Sequence, residues 1–108
     1  MQPFGAVASR ANGTAVVAVT GEVDLYTAPR LWETIDSAIA GTPRELVIDL
    51  SGVEFLDSSG LNLLVRAHKR LKPISGSVTV RGAGGQVFMA LELTKLTDVF
   101  TVEAASRD

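Results

Sequence analysis

The sequence contains no cysteine and a single histidine, His68. The absence of cysteine excludes disulfides, cysteine-based zinc sites, iron–sulfur clusters and cysteine nucleophiles, and one histidine cannot form a histidine-rich metal centre. We therefore expect no metal and no cofactor. A small domain without disulfides is more typical of an intracellular protein than of a secreted one, and we expect a cytoplasmic location.

Long apolar runs and an excess of charge of one sign are also missing. No run approaches the roughly 18–20 apolar residues that a membrane-spanning helix needs, and the N-terminus lacks the basic and apolar regions of a signal peptide. The net charge is -2. The densest basic stretch, residues 66–72, falls at the end of a predicted helix, where cations suit the helix dipole. We expect neither a membrane nor a nucleic acid as partner.

Aromatic residues are scarce, at 6%, whereas apolar residues make up 46% of the 108 positions. This is enough aliphatic material for one packed core, and the length is typical of one domain and too short for two. The sequence therefore predicts a single domain spanning residues 1–108, with a core of Val, Leu, Ile and Ala.

Strand and helix patterns alternate along the chain. We predict strands at residues 4–9, 15–20, 46–50, 77–80 and 99–102, and helices between residues 27 and 41, at 57–71 and at 87–93. The Asn12-Gly13 pair predicts a hairpin turn between the first two strands. Strands that alternate with helices indicate parallel pairs, so the fold class is α/β, with a mixed β-sheet and an N-terminal antiparallel hairpin.

Local chemistry predicts the ends of several elements. Thr27 is predicted to cap the first helix, with Pro29 in its first turn and Gly41 at its end. Residues 51–56 are predicted to form a loop. The small and polar residues 103–108 are expected to fray.

Three patterns could suggest an enzyme, and each fails. A serine hydrolase elbow around Ser59 needs glycine where Asp57 stands, and His68 lies roughly 13 Å farther along the same helix. The glycines at positions 82–85 lack the last glycine of a dinucleotide loop, and no Walker lysine is present. The carboxylates have no diagnostic ligand spacing: Glu22, Asp24, Asp49, Glu54 and Asp57. We therefore expect no catalytic residue and no enzymatic activity.

The stretch Asp57-Ser58-Ser59-Gly60 stands at the start of the second predicted helix. Its local chemistry is that of a helix cap, because Asp and Ser side chains bond the free amides of a first turn. A serine at this position could also be a phosphoacceptor, because the amides and the dipole of a helix N-terminus favour an anion. Both interpretations can hold for neighbouring serines.

Three segments together resemble the STAS family, the domain of anti-sigma factor antagonists. Residues 21–28 (GEVDLYTA) resemble its first signature, and residues 46–61 (LVIDLSGVEFLDSSGL) resemble its second and most specific one. Residues 76–102 are similar to its closing region. The resemblance implies a single STAS-like domain with a mixed sheet and helices mainly on one face.

The resemblance also implies a partner-switching role. In such systems the unphosphorylated antagonist binds an anti-sigma factor that is also a serine kinase, and a sigma factor is released. Phosphorylation breaks the complex, and a PP2C-type phosphatase restores the binding form. The motif match assigns the phosphoacceptor to Ser59, with Ser58 as the alternative. It implies a partner-binding surface at Asp24, Asp57, Ser58, Ser59 and Gly60.

A second interpretation is a STAS scaffold module that binds constitutively in a signalling or lipid-transport complex. A pure scaffold needs no hydroxyl at the motif, so the intact Ser-Ser pair favours the switch. The chain departs from the family in two places. Asn62 stands where a small residue is common, and the final helix of the family is short or missing after Val102.

Overall fold

The structure, a computed structural model, describes residues 2–105. It contains five strands and three α-helices, joined in part by short 3₁₀ turns at Lys72–Ile74 and Leu96–Asp98. The strands are β1 (Gly5–Ala11), β2 (Thr14–Val23), β3 (Glu45–Leu56), β4 (Ser77–Ala83) and β5 (Thr101–Ala104). The helices are α1 (Ala28–Ala40), α2 (Ser58–Leu71) and α3 (Gly85–Leu93).

The strands form one mixed sheet in the order β1-β2-β3-β4-β5. β1 and β2 are antiparallel, and every later pair is parallel. The hairpin turns at Asn12 and Gly13, which have φ angles of 53° and 83°. Two consecutive residues with positive φ are what a type I′ turn requires, so the Asn-Gly prediction is confirmed.

The order of the strands explains why the helices share one face of the sheet. From β2 to β5 each strand is added on the same side of the previous one, and parallel crossovers are right-handed. A crossover of fixed hand that always moves in one direction places its helix on the same face every time. The predicted α/β class and the one-sided arrangement are both confirmed.

The core lies between this face of the sheet and the helices. Alternate residues of β2 and β3 point into it, and α1, α2 and α3 cover them with their apolar stripes. The largest fully buried side chains are aliphatic: Leu31, Ile35, Leu46, Ile48, Leu50, Leu56, Leu64, Leu71, Leu91, Val17, Val19 and Val23. An aliphatic core was predicted from the scarcity of aromatic residues.

The opposite face of the sheet carries an ion pair between Asp49 and Arg81, whose Oδ2 and Nη2 atoms lie 3.4 Å apart. Partial burial acts to raise the pKa of Asp49, but hydrogen bonds from Ser51 and the charge of Arg81 outweigh it and hold this pKa below its ordinary value. The carboxylate therefore contributes stability above its ordinary pKa, and this contribution is lost as the pH falls through the lowered one.

The prediction of a loop at residues 51–56 is wrong, because β3 continues to Leu56. Ser51, Gly52 and Glu54 have the composition of a loop, but β2 extends alongside them and supplies a partner. The two strands pair from Thr20 with Gly52 to Val23 with Leu56, with a shift in register between Gly21 and Glu22. Backbone pairing with a neighbouring strand thus overrides a weak local preference for strand.

The chain near the C-terminus is also more ordered than predicted. Glu103 and Ala104 belong to β5, which pairs with β4, and the amide of Ala105 donates to the carbonyl of Ala83 at 2.7 Å. The expectation of fraying is therefore wrong for residues 103–105. Residues 106–108, to which it also applied, lie outside the described part of the chain.

Candidate functional site

The five predicted site residues meet where β2 and β3 end. Val23 pairs with Leu56, and the amide of Asp57 donates to the carbonyl of Val23 at 3.1 Å. Asp24 and Asp57 are therefore the first residues beyond two neighbouring parallel strands, and the Ser58–Gly60 turn follows directly. The carboxyl ends of parallel strands lie at the same edge of a sheet, which is where α/β folds place their binding sites.

Asp57, and neither serine, caps α2. Its backbone is extended, and its Oδ1 atom accepts from the amides of Ser59 at 2.8 Å and Gly60 at 3.3 Å. One carboxylate thus satisfies two of the amides that a helix start leaves free. The expectation that a phosphate would meet free amides here is wrong for these two groups, because Asp57 already occupies them.

Both serines of the motif have accessible surface. Ser58 is exposed and Ser59 is half-buried. Since Asp57 supplies the cap, neither hydroxyl is required to hold the helix end. The serines are therefore available for a role other than capping, and the choice of Ser59 over Ser58 stays a prediction from the motif.

Gly60 is buried and seats α2 against the sheet. A Cβ atom at this position would lie 2.7 Å from Leu56 Cγ and 2.9 Å from Val23 Cγ1, closer than carbon atoms approach in proteins. The first turn of α2 can come this near to the ends of β2 and β3 only because position 60 has no side chain. The spacing between the serines and the Asp24 connection depends on this glycine.

Asp24 organises the connection between β2 and α1. Its Oδ1 atom accepts from the amides of Tyr26 at 2.9 Å and Thr27 at 3.1 Å, while Thr27 Oγ1 accepts from the amide of Asp24 at 3.0 Å. This reciprocal pair is a capping box that spans the turn before α1. The predicted capping of α1 by the Thr27 side chain is therefore wrong, because Thr27 has a helical backbone and its hydroxyl bonds back to Asp24 and Glu22.

Exposed apolar side chains flank the motif, and the sequence reasoning did not identify them. Leu25 and Tyr26 are 69% and 85% exposed between Asp24 and α1, and Phe55 is 40% exposed just before Leu56. Leu25 and Tyr26 lie outside the apolar stripe of α1, and this feature of the sequence could have identified them as exposed. Aromatic and aliphatic residues around a polar centre are typical of surfaces that bind proteins.

Neither a candidate metal centre nor a membrane-spanning helix is found among the described residues. Within residues 2–105 no group of three His, Asp or Glu side chains could hold a metal ion. His68 packs edge-to-face against Phe100, with ring centroids 6.3 Å apart, and belongs to the margin of the core. None of the helices in the same range is long and apolar enough to cross a bilayer.

The fold is a five-stranded mixed sheet with helices on one face, and the candidate site lies at the start of α2. The chain belongs to the STAS-domain family, whose model matches residues 6–108. The sequence-based assignment to this family is confirmed.

The chain is similar to two anti-sigma factor antagonists in sequence and to a third protein in fold. The anti-sigma-F factor antagonist RsfB of Mycobacterium tuberculosis is 44% identical over 73 residues, which cover 67% of this chain and 60% of RsfB. The chain thus matches less than two thirds of the length of this relative. A crystal structure of an anti-sigma factor antagonist from Mycobacterium paratuberculosis is 36% identical, covers 94% of this chain and 86% of that one, and has a TM-score of 0.86.

The third is the Bacillus cell fate determinant SpoIIAA in its phosphorylated form, with 19% identity, coverage of 97% and 93%, and a TM-score of 0.73. At this identity the likeness shows the fold alone. The names of the other two relatives are those of regulatory binding proteins and not of enzymes, in agreement with the sequence prediction.

Proposed function

We propose that this protein is an anti-sigma factor antagonist that switches partners. Its unphosphorylated form binds an anti-sigma factor with serine kinase activity in the cytoplasm, and a sigma factor is released. Transfer of a phosphate to Ser59 breaks the complex, and a PP2C-type phosphatase restores the binding form. The observation that carries the proposal is a half-exposed serine in the first turn of α2 that the helix does not need as a cap.

The surroundings of Ser59 support a docking surface. Leu25, Tyr26 and Phe55 expose apolar area at the same edge of the sheet, and Asp24 holds the connection that carries two of them. All three belong to segments next to the ends of β2 and β3, where α2 also begins, and we propose that one partner contacts them together with Ser59. Binding energy from the apolar residues and accessibility of the hydroxyl to a kinase are thus combined in one surface.

The geometry also supports release by charge. A phosphoserine carries about -1.5 to -2 charges at neutral pH. On Ser59 it would stand beside the Asp57 carboxylate, which is already bonded to the amides of Ser59 and Gly60. The added anion would therefore have to be buried against the partner with little neutralisation from this chain. SpoIIAA, which shares the fold, has been solved in a phosphorylated form.

The identity of the acceptor is tested by intact mass after incubation with ATP and a candidate anti-sigma kinase from the same cell. We expect the wild-type chain and Ser58→Ala to gain one phosphate and Ser59→Ala to gain none. Loss of the phosphate in Ser58→Ala alone would move the acceptor to Ser58. A chain that binds the kinase tightly and never gains phosphate would instead be the constitutive scaffold.

Asp24→Asn tests whether the charge of Asp24 contributes to partner binding while its hydrogen bonds to the backbone are kept. Asparagine keeps an oxygen that can accept from the amides of Tyr26 and Thr27, so the fold should be retained while the charge is lost. We expect weaker partner binding by titration calorimetry with an unchanged melting temperature. Asp24→Ala is the matched control, which loses the cap as well and should lose about 0.5–2 kcal/mol of stability. Unchanged affinity in Asp24→Asn would limit Asp24 to its structural role.

A further inference from the structure

Gln86, at the start of α3, makes a two-point hydrogen bond to the end of β3. Its Oε1 atom accepts from the amide of Leu56 at 3.0 Å, and its Nε2 atom donates to the carbonyl of Leu56 at 2.9 Å. A side-chain amide that bonds both groups of one residue imitates the backbone of an adjacent strand. Leu56 is 1% exposed, whereas Gln86 is exposed, so the Gln86 side chain covers these peptide groups from the solvent side.

On the β4 side of the sheet, Leu56 has no strand partner. β3 pairs with β4 only from Glu45 to Asp49, while its pairing with β2 continues to Leu56. Successive residues of a strand direct their backbone groups to opposite sides. The Asp57 amide donates to Val23 on the β2 side. The backbone groups of Leu56 therefore point to the β4 side, at a place beyond the end of the β3–β4 pairing. Gln86 fills that place.

We propose that Gln86 is a positioning residue for the Ser59 phosphoacceptor, an inference that rests on the proposed function. The segment that enters α2 is held from one side by the bond between Asp57 and Val23 and from the other by Gln86. Loss of the Gln86 hydrogen bonds would leave the Leu56 backbone held from the β2 side only. The Leu56 side chain packs under Gly60 at the first turn of α2. The position of the Ser59 hydroxyl therefore depends on a residue 27 positions farther along the chain.

Only an amide side chain of this length provides both a donor and an acceptor. Glutamate at neutral pH has no donor and would direct a carboxylate at the Leu56 carbonyl, and methionine can form neither bond with comparable strength. Gln86→Met preserves the length and removes the pair. Glu92→Met is the matched control, since Glu92 is exposed on the same helix and the side-chain hydrogen bonds to Leu56 come from Gln86.

The first measurement is backbone amide hydrogen exchange by NMR on the full chain without a partner. We expect Gln86→Met to speed exchange of the Leu56 amide by about tenfold, since the loss of even one buried hydrogen bond exposes the amide. The Ile48 amide, in the middle of β3, and the Glu92→Met variant should be unchanged. Wild-type exchange at Leu56 in Gln86→Met would overturn the proposal.

The second measurement is the steady-state kinetics of phosphorylation by the anti-sigma kinase. We expect Gln86→Met to lower kcat severalfold with little change in KM, because the apolar docking residues are intact and only the presentation of Ser59 is altered. Equal kinetics in Gln86→Met and wild type would overturn the role of Gln86 and leave the proposed function standing. A wild-type chain that accepts no phosphate would overturn the proposed function and this role with it.

Discussion

Ser59→Ala is expected to bind the anti-sigma partner with wild-type affinity and to remain bound after ATP is added. Alanine removes the hydroxyl that accepts phosphate but leaves the helix cap intact, because the amides of Ser59 and Gly60 bond to the Asp57 carboxylate. The free energy of unfolding should therefore change little. In wild type the same addition of ATP should dissociate the complex.

Ser59→Asp should weaken binding about a hundredfold. A charge buried against a partner without compensation is typically unfavourable by several kcal/mol, and ~3 kcal/mol corresponds to roughly a hundredfold in affinity. The N-terminus of α2 favours an anion by only about 0.3–1 kcal/mol, which is too little to offset this. A carboxylate has less charge than phosphate, so the phosphorylated wild type should bind more weakly still.

Both variants are measured by titration against the purified partner with and without ATP, with thermal melts alongside. Ser58→Ala is the matched control for release, because its complex with the partner should still dissociate when ATP is added. A Ser59→Ala complex that ATP still dissociates would place the switch at another residue. A large fall in melting temperature for Ser59→Ala would show that Ser59 holds the helix after all.

Gly60→Val should lower the free energy of unfolding by about 2–3 kcal/mol. Even a Cβ atom would stand 2.7 Å from Leu56 Cγ, and overpacking of this kind typically costs about 1–3 kcal/mol, at the upper end for a branched side chain. Valine is a better helix former than glycine by less than about 0.5 kcal/mol, so propensity cannot compensate. We expect a melting temperature lower by about 10 °C or more.

Asn62→Val is the control for Gly60→Val. Asn62 is exposed, two positions farther along α2, so the substitution tests propensity without a steric clash and should change stability by less than about 0.5 kcal/mol. Chemical denaturation of the two variants gives the difference directly. Equal stabilities would mean that α2 can move off the sheet without penalty and that Gly60 does not set its position.

Gly60→Val should also affect the switch through geometry. To relieve the clash with Leu56 and Val23, the first turn of α2 must move away from the sheet and carry Ser59 with it. The affinity for the partner should then fall even at temperatures where the variant is folded. Wild-type affinity in a folded Gly60→Val chain would contradict this.

The parts of the fold that the sequence predicted depend on neighbouring residues. Asn12-Gly13 forms its hairpin because both residues accept positive φ wherever they stand. The alternation of strand and helix patterns predicts a sheet with parallel pairs. The helices share one face because the strands are added in chain order, which the alternation alone does not specify. The Asp57–Gly60 stretch starts a helix because an aspartate at a helix cap bonds the amides just after it.

Features that join distant parts of the chain were decided only by the tertiary structure. Residues 51–56 form a strand because β2 extends beside them. The bond from Gln86 to Leu56 spans 30 residues, and no local pattern around glutamine predicts it. Hydrogen bonds within a turn are specified by residues a few positions apart, whereas a backbone group at the end of a strand finds its partner only when the whole sheet has formed.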